Sequence, residues 1–555
     1  MRMDARNHRP KADPCINDIH SLAQSLINSW QELCTLYLPV TTSGAAWSYS
    51  RTSTPRDPAQ GWKLHLSAHV LTACEVLRKV APFLRRRGVL FKAPSSLQQV
   101  SRINAGLHYG YSQVGKIITA YPRSDREALY LARRLHKLTL GMKAPVVPFD
   151  LSFRAGSCVY YRYGAYSPID IENPDGTRTP AIRDPQGNLV PDCRESITAK
   201  PDWVIDPLID KRRRSEPGPV DSPLSTSFRA FRALSKRGKG GVYQAIDLSA
   251  DPPRLCILKE GRSCGEVGWD GGDGYTRLKN EEEALYDLQA SGVNVPRLYS
   301  SFEVENNYYL AIEFIEGDSL QALLNRRRRR LTISQVLRFG IQLSLLVSQI
   351  HAAGWMWRDC KPANLIVTKE GELRPLDFEG ACPFDKTAPL LWSTPDFAPP
   401  ESQVSSLERP KHCEDVYAIG AIIYFLLTAR IFAHSGPLTI KELRRNVPPA
   451  LCDIISKLLA ADPQKRPTAQ SAAQEFMAAL SLLECQRRSP LPQSGILSSD
   501  RISEDSHCIT LAHRARSANL ESERRLTITG SAIRNGKAAK RSLHASSNKV
   551  NACSL

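Results

Sequence analysis

The sequence of 555 residues is poor in paired cysteines, in long apolar segments and in acidic residues, and each shortage excludes a class of protein. Its fourteen cysteines include no Cys-x-x-Cys pair, and the two nearest, Cys256 and Cys264, are eight positions apart. This spacing excludes both a zinc centre built on such pairs and a dense disulfide framework. We therefore expect free thiols and a cytoplasmic location.

Uninterrupted apolar segments fall short of the ~20 residues that a membrane-spanning helix needs. Residues 416–429 are too few, and the longer segment 339–357 is interrupted by Gln, Ser and His. The N-terminus is polar and of mixed charge, without the apolar core of a signal peptide. These features predict that the chain does not have a membrane partner.

Acidic residues are outnumbered by basic ones, 56 to 74, which gives a formal net charge of +18. Such an excess favours an anionic partner or substrate but does not identify a fold. Two basic runs, at residues 211–214 and 326–330, are either solvated charge or a docking surface for an acidic peptide segment. Nucleic acid is a weaker alternative, since these runs lack the interleaved aromatic residues of single-strand-binding proteins.

Hydrophobic patterning divides the chain into four parts, and the predicted fold class is α+β. Residues 1–205 mix helical and alternating patterns and predict an N-terminal α+β domain. Residues 206–224 are rich in proline and basic residues, which is typical of a linker. Residues 225–484 begin with strand patterns and continue with helical ones, whereas 485–555 contain no aromatic residue and predict a disordered basic tail.

The strongest motif is the Asp-x-Lys-Pro-x-Asn segment that begins at Asp359. Phosphoryl transfer needs a group that orients the acceptor hydroxyl, a cation beside the phosphoryl group and ligands for Mg²⁺. Asp359 can orient the hydroxyl, Lys361 can contact the phosphoryl group, and Asn364 and the later Asp377 can bind the metal. This segment resembles the catalytic loop of protein kinases.

Further motifs of that family follow in the family's order over about 260 residues, and they imply a bilobal kinase-like fold. The resemblance implies that Lys259 pairs with Glu281, that Asp415 holds the catalytic loop and that Arg466 pairs with Glu401. It also implies ATP or GTP as the nucleotide. The implied nucleotide-binding residues lie on the predicted strands and one helix of the first lobe: Gly240, Val242, Lys259, Glu281, Ile312 and Glu313.

Three positions depart from the kinase pattern. Only Gly240 matches the glycine loop, Trp357 replaces a His, and Glu379 replaces the Gly of Asp-Phe-Gly. A pseudokinase scaffold is therefore one alternative, although the charged residues are retained. We expect Glu379 to restrict peptide flips, because only Gly tolerates positive φ freely. The glycine-rich residues 263–275 predict a mobile insertion rather than a phosphate-binding loop.

A second cluster of candidate residues lies upstream of the kinase motifs. A short segment alternates strictly, so its apolar residues face one side of a predicted strand while Lys63 and His65 face the other. Alone, this pattern is typical of a solvated strand face. Further cations follow at Lys92, Lys116 and Arg162, and in their company Lys63 and His65 are candidate site residues.

This cluster, joined to a downstream kinase segment, resembles class III lanthipeptide synthetases, whose N-terminal domain is similar to bacterial phosphothreonine lyases. The resemblance implies a kinase that phosphorylates Ser or Thr of a ribosomal precursor peptide and a lyase that eliminates the phosphate. By the same resemblance, Lys63 is the base and His65 the acid, while Lys92, Lys116 and Arg162 hold the phosphate. Clustered cations would lower the pKa of the Lys63 base.

Synthetases of this class normally end in a cyclase domain of several hundred residues, and the residues after Leu483 are too few for one. We therefore expect the activity to stop at the dehydroamino acid unless a separate cyclase acts in trans. Two alternatives stay open: a signalling-type serine/threonine kinase with an N-terminal regulatory module, and a pseudokinase scaffold without activity.

Overall fold

The computed structural model describes most of the first 488 residues and divides the chain into two units, residues 1–483 and 484–554. Of the second unit it describes only residues 484–488, which end a helix. The predicted tail and the basic runs at 211–214 and 327–329 lie outside the described residues. The described ranges are 16–41, 45–167, 169–192, 200–209, 222–326, 330–386, 394–403, 412–432 and 439–488.

The N-terminal region, residues 16–209, is built on a seven-stranded sheet with strand order β1-β2-β4-β5-β3-β7-β6 and a separate three-stranded sheet with order β10-β9-β8. Its helices are α1 (Ile16–Tyr37), α2 (Ala73–Arg86), α3 (Leu97–Ala105) and α4 (Asp125–Leu138). Its strands are β1 (Val40–Thr41), β2 (Trp47–Tyr49), β3 (Gln60–Leu66), β4 (Leu90–Pro94), β5 (Ile118–Tyr121), β6 (Leu151–Ser152), β7 (Val159–Ala165), β8 (Asp170–Glu172), β9 (Arg178–Arg183) and β10 (Leu189–Pro191).

Strand β3 shows why one face of the large sheet is apolar and the other is basic. Trp62, Leu64 and Leu66 are buried in the core with the apolar faces of the helices. Because successive side chains of a strand point to opposite faces, Lys63 and His65 lie on the other side of the sheet. The predicted alternation is present in the structure.

The C-terminal region, residues 222–488, begins with a five-stranded antiparallel sheet of order β11-β12-β13-β15-β14 and a helix packed on it. This first lobe contains α5 (Pro223–Thr226), β11 (Phe228–Arg237), β12 (Gly240–Asp247), β13 (Arg254–Gly261), α6 (Gly274–Ala290), β14 (Leu298–Val304) and β15 (Asn307–Glu313). Helix α6 begins with a capping box in which Asp273 and Thr276 satisfy each other's backbone N–H groups.

The second lobe is mainly helical and shares one large hydrophobic core with α6. Its helices are α7 (Leu320–Arg326), α8 (Ile333–Ala352), α9 (Cys413–Thr428), α10 (Ile440–Leu443), α11 (Pro449–Leu458) and α12 (Ala469–Arg488). Its strands are β16 (Asp318–Ser319), β17 (Trp355–Met356), β18 (Leu365–Val367), β19 (Leu373–Pro375) and β20 (Cys382–Pro383). The α+β fold class is thereby confirmed.

Helix α8 is long and apolar enough to cross a membrane by length and composition. Its residues Val336, Leu337, Leu343 and Val347 are instead part of the core of the second lobe. A buried core helix satisfies the same length and composition test, so α8 is weak evidence for a membrane span.

The glycine-rich insertion, residues 263–275, contacts both regions of the chain. Its Trp269 packs against the hydrophobic core of the N-terminal region. Its Cys264 N–H donates to the side chain of Asp273 at 2.7 Å, and its Gly274 N–H donates to the carbonyl of Gly265 at 2.9 Å. The sequence predicted a mobile insertion, and its composition did not reveal the packing of Trp269 on the N-terminal core.

Candidate active sites

The basic residues of the N-terminal region lie in one row across the large sheet. Strand pairing sets Lys63 opposite Arg162, and it sets Thr119 opposite both His65 and Lys92. Residues that are directly opposite in antiparallel strands point to the same face. Four of the five residues predicted for this site therefore share one face of the sheet.

The fifth residue, Lys116, precedes β5 and joins the row through a buried carboxylate. Asp150 lies 2.5 Å from His65 Nδ1 and 2.8 Å from Lys116 Nζ, and its side chain is fully buried. One carboxylate thus contacts both residues. A buried charge is stable only when it is paired in this way.

The pKa of His65 is lowered to about 4, chiefly because the ring is buried, although Asp150 opposes the shift. Lys116 and Lys63 lower it further, since each cation disfavours a second positive charge. The pKa of Asp150 is lowered to about 2, because its contacts with His65 and Lys116 outweigh the effect of burial. At neutral pH the free site therefore contains a neutral imidazole beside a carboxylate.

Two further cations complete this face. Arg162 is buried and donates to Asp192 at 2.6 Å, and the Lys92 ammonium lies 4.1 Å from the centre of the Trp47 ring. All five predicted residues line one cavity of about 250 Å³, together with Gln113 and residues of β8 and β9. We call it the lyase-like cavity. Its size and positive lining suit a phosphate group attached to a peptide side chain.

The second site, which we call the kinase-like site, lies between the two lobes of the C-terminal region. Lys259 on β13 forms an ion pair with the buried Glu281 of α6, and its Nζ lies 3.2 Å from Asp377 Oδ1. Burial lowers the pKa of Lys259, but Asp377, Glu281 and Glu379 outweigh that effect and raise it well above the ordinary value. Lys259 is therefore charged.

Asp377 is held in a conformation that few residues other than glycine adopt. Its φ is 63°, in the left-handed region. The Phe378 N–H donates to Glu281 at 3.1 Å, and the Phe378 ring stacks on Trp357 with centroids 5.5 Å apart. Trp357 also donates its indole N–H to the Asp377 carbonyl at 3.0 Å. The unusual Trp therefore fixes the turn that presents Asp377.

The catalytic-loop residues form a compact hydrogen-bonded group. Lys361 Nζ lies 2.7 Å from Asp359 Oδ2, and Thr394 donates to Asp359 Oδ1 at 2.9 Å. Burial raises the pKa of Asp359, while Lys361 opposes the shift. Below this loop, Asp415 accepts the N–H groups of Trp357 and Arg358 at 2.9 and 2.8 Å.

The remaining nucleotide-site candidates lie on the first lobe. Val242 pairs with Lys259 across β12 and β13, and Ile312 is buried. Gly240 has a φ of 154°, and a Cβ there would overlap the carbonyl oxygen of Glu260. The Glu313 side chain is engaged elsewhere, since it accepts from Arg374 at 3.0 Å. Near the end of the second lobe, Arg466 pairs with Glu401 at 2.5 Å.

Asn364 and Asp377 supply the oxygen ligands that Mg²⁺ prefers. Asn364 uses its amide nitrogen to donate to the backbone and side-chain oxygens of Asp359, both at 3.0 Å. Its amide oxygen is thereby the atom offered to a metal. The donor set fits Mg²⁺.

Sequence reasoning missed three residues that the structure brings into these sites. Asp150 is 85 positions from His65 and belongs to no recognisable motif. Thr394 contacts Asp359 and Lys361 from the segment before Glu401. Lys239 lies in the degenerate glycine loop, and its ammonium bonds to Glu379. The basic residues of that loop were the only sequence feature that pointed to Lys239.

Each of the two regions is similar to a known family. A family described as RamC, N-terminal domain matches residues 40–218, and a family described as Protein kinase domain matches residues 270–477. The first match contains all five residues of the lyase-like cavity. The second match contains the catalytic loop and Asp377. Protein kinases use a nucleotide and Mg²⁺, which agrees with the donor set of the kinase-like site.

Curated relatives include a synthase and several serine/threonine-protein kinases. A probable SapB synthase of Streptomyces coelicolor is 30% identical over 364 residues, which cover 63% of this chain and 38% of the relative. The serine/threonine-protein kinase PknA of Nostoc sp. is 26% identical over 279 residues, 47% of this chain and 48% of the relative. The PknA of Mycobacterium tuberculosis is 27% identical over 288 residues, 49% of this chain and 65% of the relative.

The chain thus spans less than two thirds of the length of each of these relatives. Its match to the synthase extends well beyond the kinase region, in agreement with the resemblance seen in the motifs. The chain is therefore similar to class III lanthipeptide synthetases, with an N-terminal domain of the RamC type followed by a protein kinase domain.

Proposed function

We propose that this protein dehydrates Ser or Thr residues of a ribosomal precursor peptide in two steps, phosphorylation followed by elimination of phosphate. The observation that carries the proposal is the lyase-like cavity, which gathers Lys63, His65, Lys92, Lys116 and Arg162 in the same chain as the kinase-like site. A signalling kinase has no evident use for such a cavity. The proposed domains are residues 1–205 and 225–484, joined by the linker 206–224.

In the first step, the peptide hydroxyl attacks the terminal phosphorus of ATP or GTP, and the nucleoside diphosphate leaves. Asp359 accepts the hydroxyl proton and Lys361 contacts the transferred phosphoryl group. Thr394 and Lys361 hold the Asp359 carboxylate in place. Mg²⁺ bound by Asn364 and Asp377 would neutralise charge on the phosphates.

In the second step, the phosphorylated side chain enters the lyase-like cavity. Lys63 takes the Cα proton, the Cα–Cβ double bond forms, and the Cβ–O bond breaks with its electron pair going to phosphate. His65 gives a proton to the departing phosphate, which Lys92, Lys116 and Arg162 hold. The product is dehydroalanine from Ser or dehydrobutyrine from Thr.

Mass spectrometry of a candidate precursor peptide, incubated with nucleotide, Mg²⁺ and this protein, tests the proposal. The expected product is lighter than the peptide by one water per modified residue. With Lys63→Met, the product should instead be heavier by one phosphate, because the first step still proceeds. Dehydrated product from Lys63→Met would exclude the lyase assignment, and phosphopeptide as the final product of the unaltered protein would favour a signalling kinase.

The proposed location is the cytoplasm, where nucleotide triphosphates are available. Each of the ten cysteines in the described part of the chain is a free thiol, in keeping with a reducing compartment.

A further inference from the structure

The glycine loop of the kinase-like site, residues 235–242, is held by neighbouring segments through its own backbone. The Gly238 N–H donates to the carbonyl of Ala105 at 3.1 Å, and Ala105 ends helix α3 of the N-terminal region. The Lys239 carbonyl accepts the Arg262 N–H at 2.8 Å. In protein kinases this loop covers the nucleotide phosphates. Here the Gly238 N–H is already used by the N-terminal region.

Close packing at the tip of the loop leaves it little freedom. A Cβ at Gly238 would overlap the carbonyl oxygen of Asn104, and a Cβ at Gly274 would overlap that of Lys239. The tip is therefore enclosed between α3 and the start of α6. The Lys239 side chain therefore extends from a backbone that is held on these sides.

That side chain points into the kinase-like site. The Lys239 ammonium bonds to Glu379, and the other oxygen of Glu379 lies 3.4 Å from Lys259 Nζ. Lys239 and Lys259 are thus bridged by one carboxylate, beside Asp377. Burial lowers the pKa of Lys239, but Glu379 and Asp377 outweigh that effect and raise it. The ammonium is charged and lies in a loop that keeps only one of the three glycines of the kinase pattern.

We propose that Lys239 is a second phosphate-binding lysine of the nucleotide site and that Glu379 is the residue that positions it. When a nucleoside triphosphate enters, the ammonium exchanges its bond to Glu379 for bonds to the terminal phosphates. The side chain thereby supplies the contact that the Gly238 N–H does not. This inference rests on the proposed kinase function.

Calorimetric binding of a non-hydrolysable ATP analogue with Mg²⁺, compared with AMP, tests the proposal in the full chain. Lys239→Met should weaken binding of the triphosphate about tenfold, since a charge-assisted hydrogen bond is lost. It should change AMP binding by less than about twofold, because AMP lacks the terminal phosphates. Lys239→Arg should restore part of the affinity. The matched control is Arg229→Met, an exposed cation at the far end of the same hairpin.

The outcomes separate this inference from the function on which it rests. If Lys239→Met binds the triphosphate as tightly as the unaltered protein, the inference is wrong. If it binds the triphosphate more tightly, the inference is also wrong, and the Lys239–Glu379 pair obstructs the site. If the unaltered protein binds no triphosphate, the kinase function itself fails, and the inference fails with it. Equal thermal unfolding of all variants without nucleotide would show that lost affinity is not lost folding.

Discussion

Arg262 and Tyr111 are hydrogen-bonded across the two regions of the chain, although 151 positions separate them. Arg262 follows directly after β13, the strand that carries Lys259. Tyr111 begins the loop that supplies Gln113 and Lys116 to the lyase-like cavity. The Tyr111 ring also packs on Phe149, the residue before Asp150. This contact therefore joins the structural supports of the two sites.

Replacing Arg262 by Met should loosen both supports together. The hydrogen bond and the cation above the Tyr111 ring, 4.9 Å from its centre, are both removed. We expect faster amide hydrogen exchange in residues 111–116 and in the glycine loop, by several-fold in each, since about 1 kcal/mol of local stability is lost.

A matched control for that variant is Arg254→Met at the opposite end of β13. Arg254 pairs with Asp247 and is far from the glycine loop along both strands. Its replacement should leave exchange in residues 111–116 unchanged. If Arg262→Met accelerates exchange in only one of the two segments, the contact does not couple them.

Asp150→Asn should slow elimination without affecting phosphorylation. The neutral amide no longer stabilises a charged His65 and no longer pairs with Lys116, so both lose their fixed positions. General acid–base catalysis contributes about 10²- to 10⁴-fold, so we expect a misplaced His65 to slow elimination at least about tenfold. The measurement is the rate of phosphate release from a synthetic phosphopeptide, followed beside nucleotide consumption with the unphosphorylated peptide.

Asp170→Asn serves as the control for the Asp150 variant. Asp170 lines the same cavity but is exposed to solvent. Its replacement should change phosphate release by less than about threefold, a loss under about 1 kcal/mol. An Asp150→Asn protein that releases phosphate at the unaltered rate would show that Asp150 serves only folding.

The sequence predicted those parts of the two sites that depend on local pattern. Alternation along β3 placed Lys63 and His65 on the polar face, because the period of a strand is two residues. The short spacing from Asp359 to Asn364 fixed the catalytic loop. Both predictions needed only residues that are near one another in the chain.

Contacts between distant segments were beyond such reasoning. Asp150 reaches His65 only because β6 and β7 fold back beside β3. Lys239 contacts Glu379 across 140 positions, because the first lobe lies against the second. Glu379 was expected to act through its backbone, whereas its φ is not positive and its side chain makes the contacts. A sequence pattern contains no information about the spatial distance between residues of such pairs.

Trp357→Phe should weaken the turn that holds Asp377 while keeping the ring stack on Phe378. The Phe ring fills most of the buried space, but the hydrogen bond from the indole N–H to the Asp377 carbonyl is lost. We expect a loss of about 1 kcal/mol in stability and a lower kcat of phosphorylation. Urea unfolding measures the change in stability, and single-turnover phosphorylation measures the change in activity. Trp357→His should retain more activity than Trp357→Phe. Equal kcat in the unaltered protein and Trp357→Phe would contradict this role.

The low pKa of His65 poses a question for its proposed role as an acid. With a pKa of about 4, the free ring carries no charge at neutral pH. A bound phosphate brings negative charge next to Lys63, Lys116 and His65, and an anion favours the protonated ring. We therefore expect substrate binding to raise the pKa of His65, so that the ring holds its proton to a higher pH than in the free protein.

Histidine-labelled NMR with inorganic phosphate as the probe tests that expectation, and His65→Gln assigns the signal among the twelve histidines. Without phosphate, the His65 signal should titrate near pH 4, since burial and the neighbouring cations oppose the charge. With saturating phosphate, the midpoint should rise by about one unit or more, because opposite charge within a few ångströms shifts a pKa by that amount. Chloride at equal ionic strength should leave the midpoint in place. A midpoint that stays at 4 with phosphate bound would remove His65 as the acid and leave it a neutral hydrogen-bonding partner of Asp150.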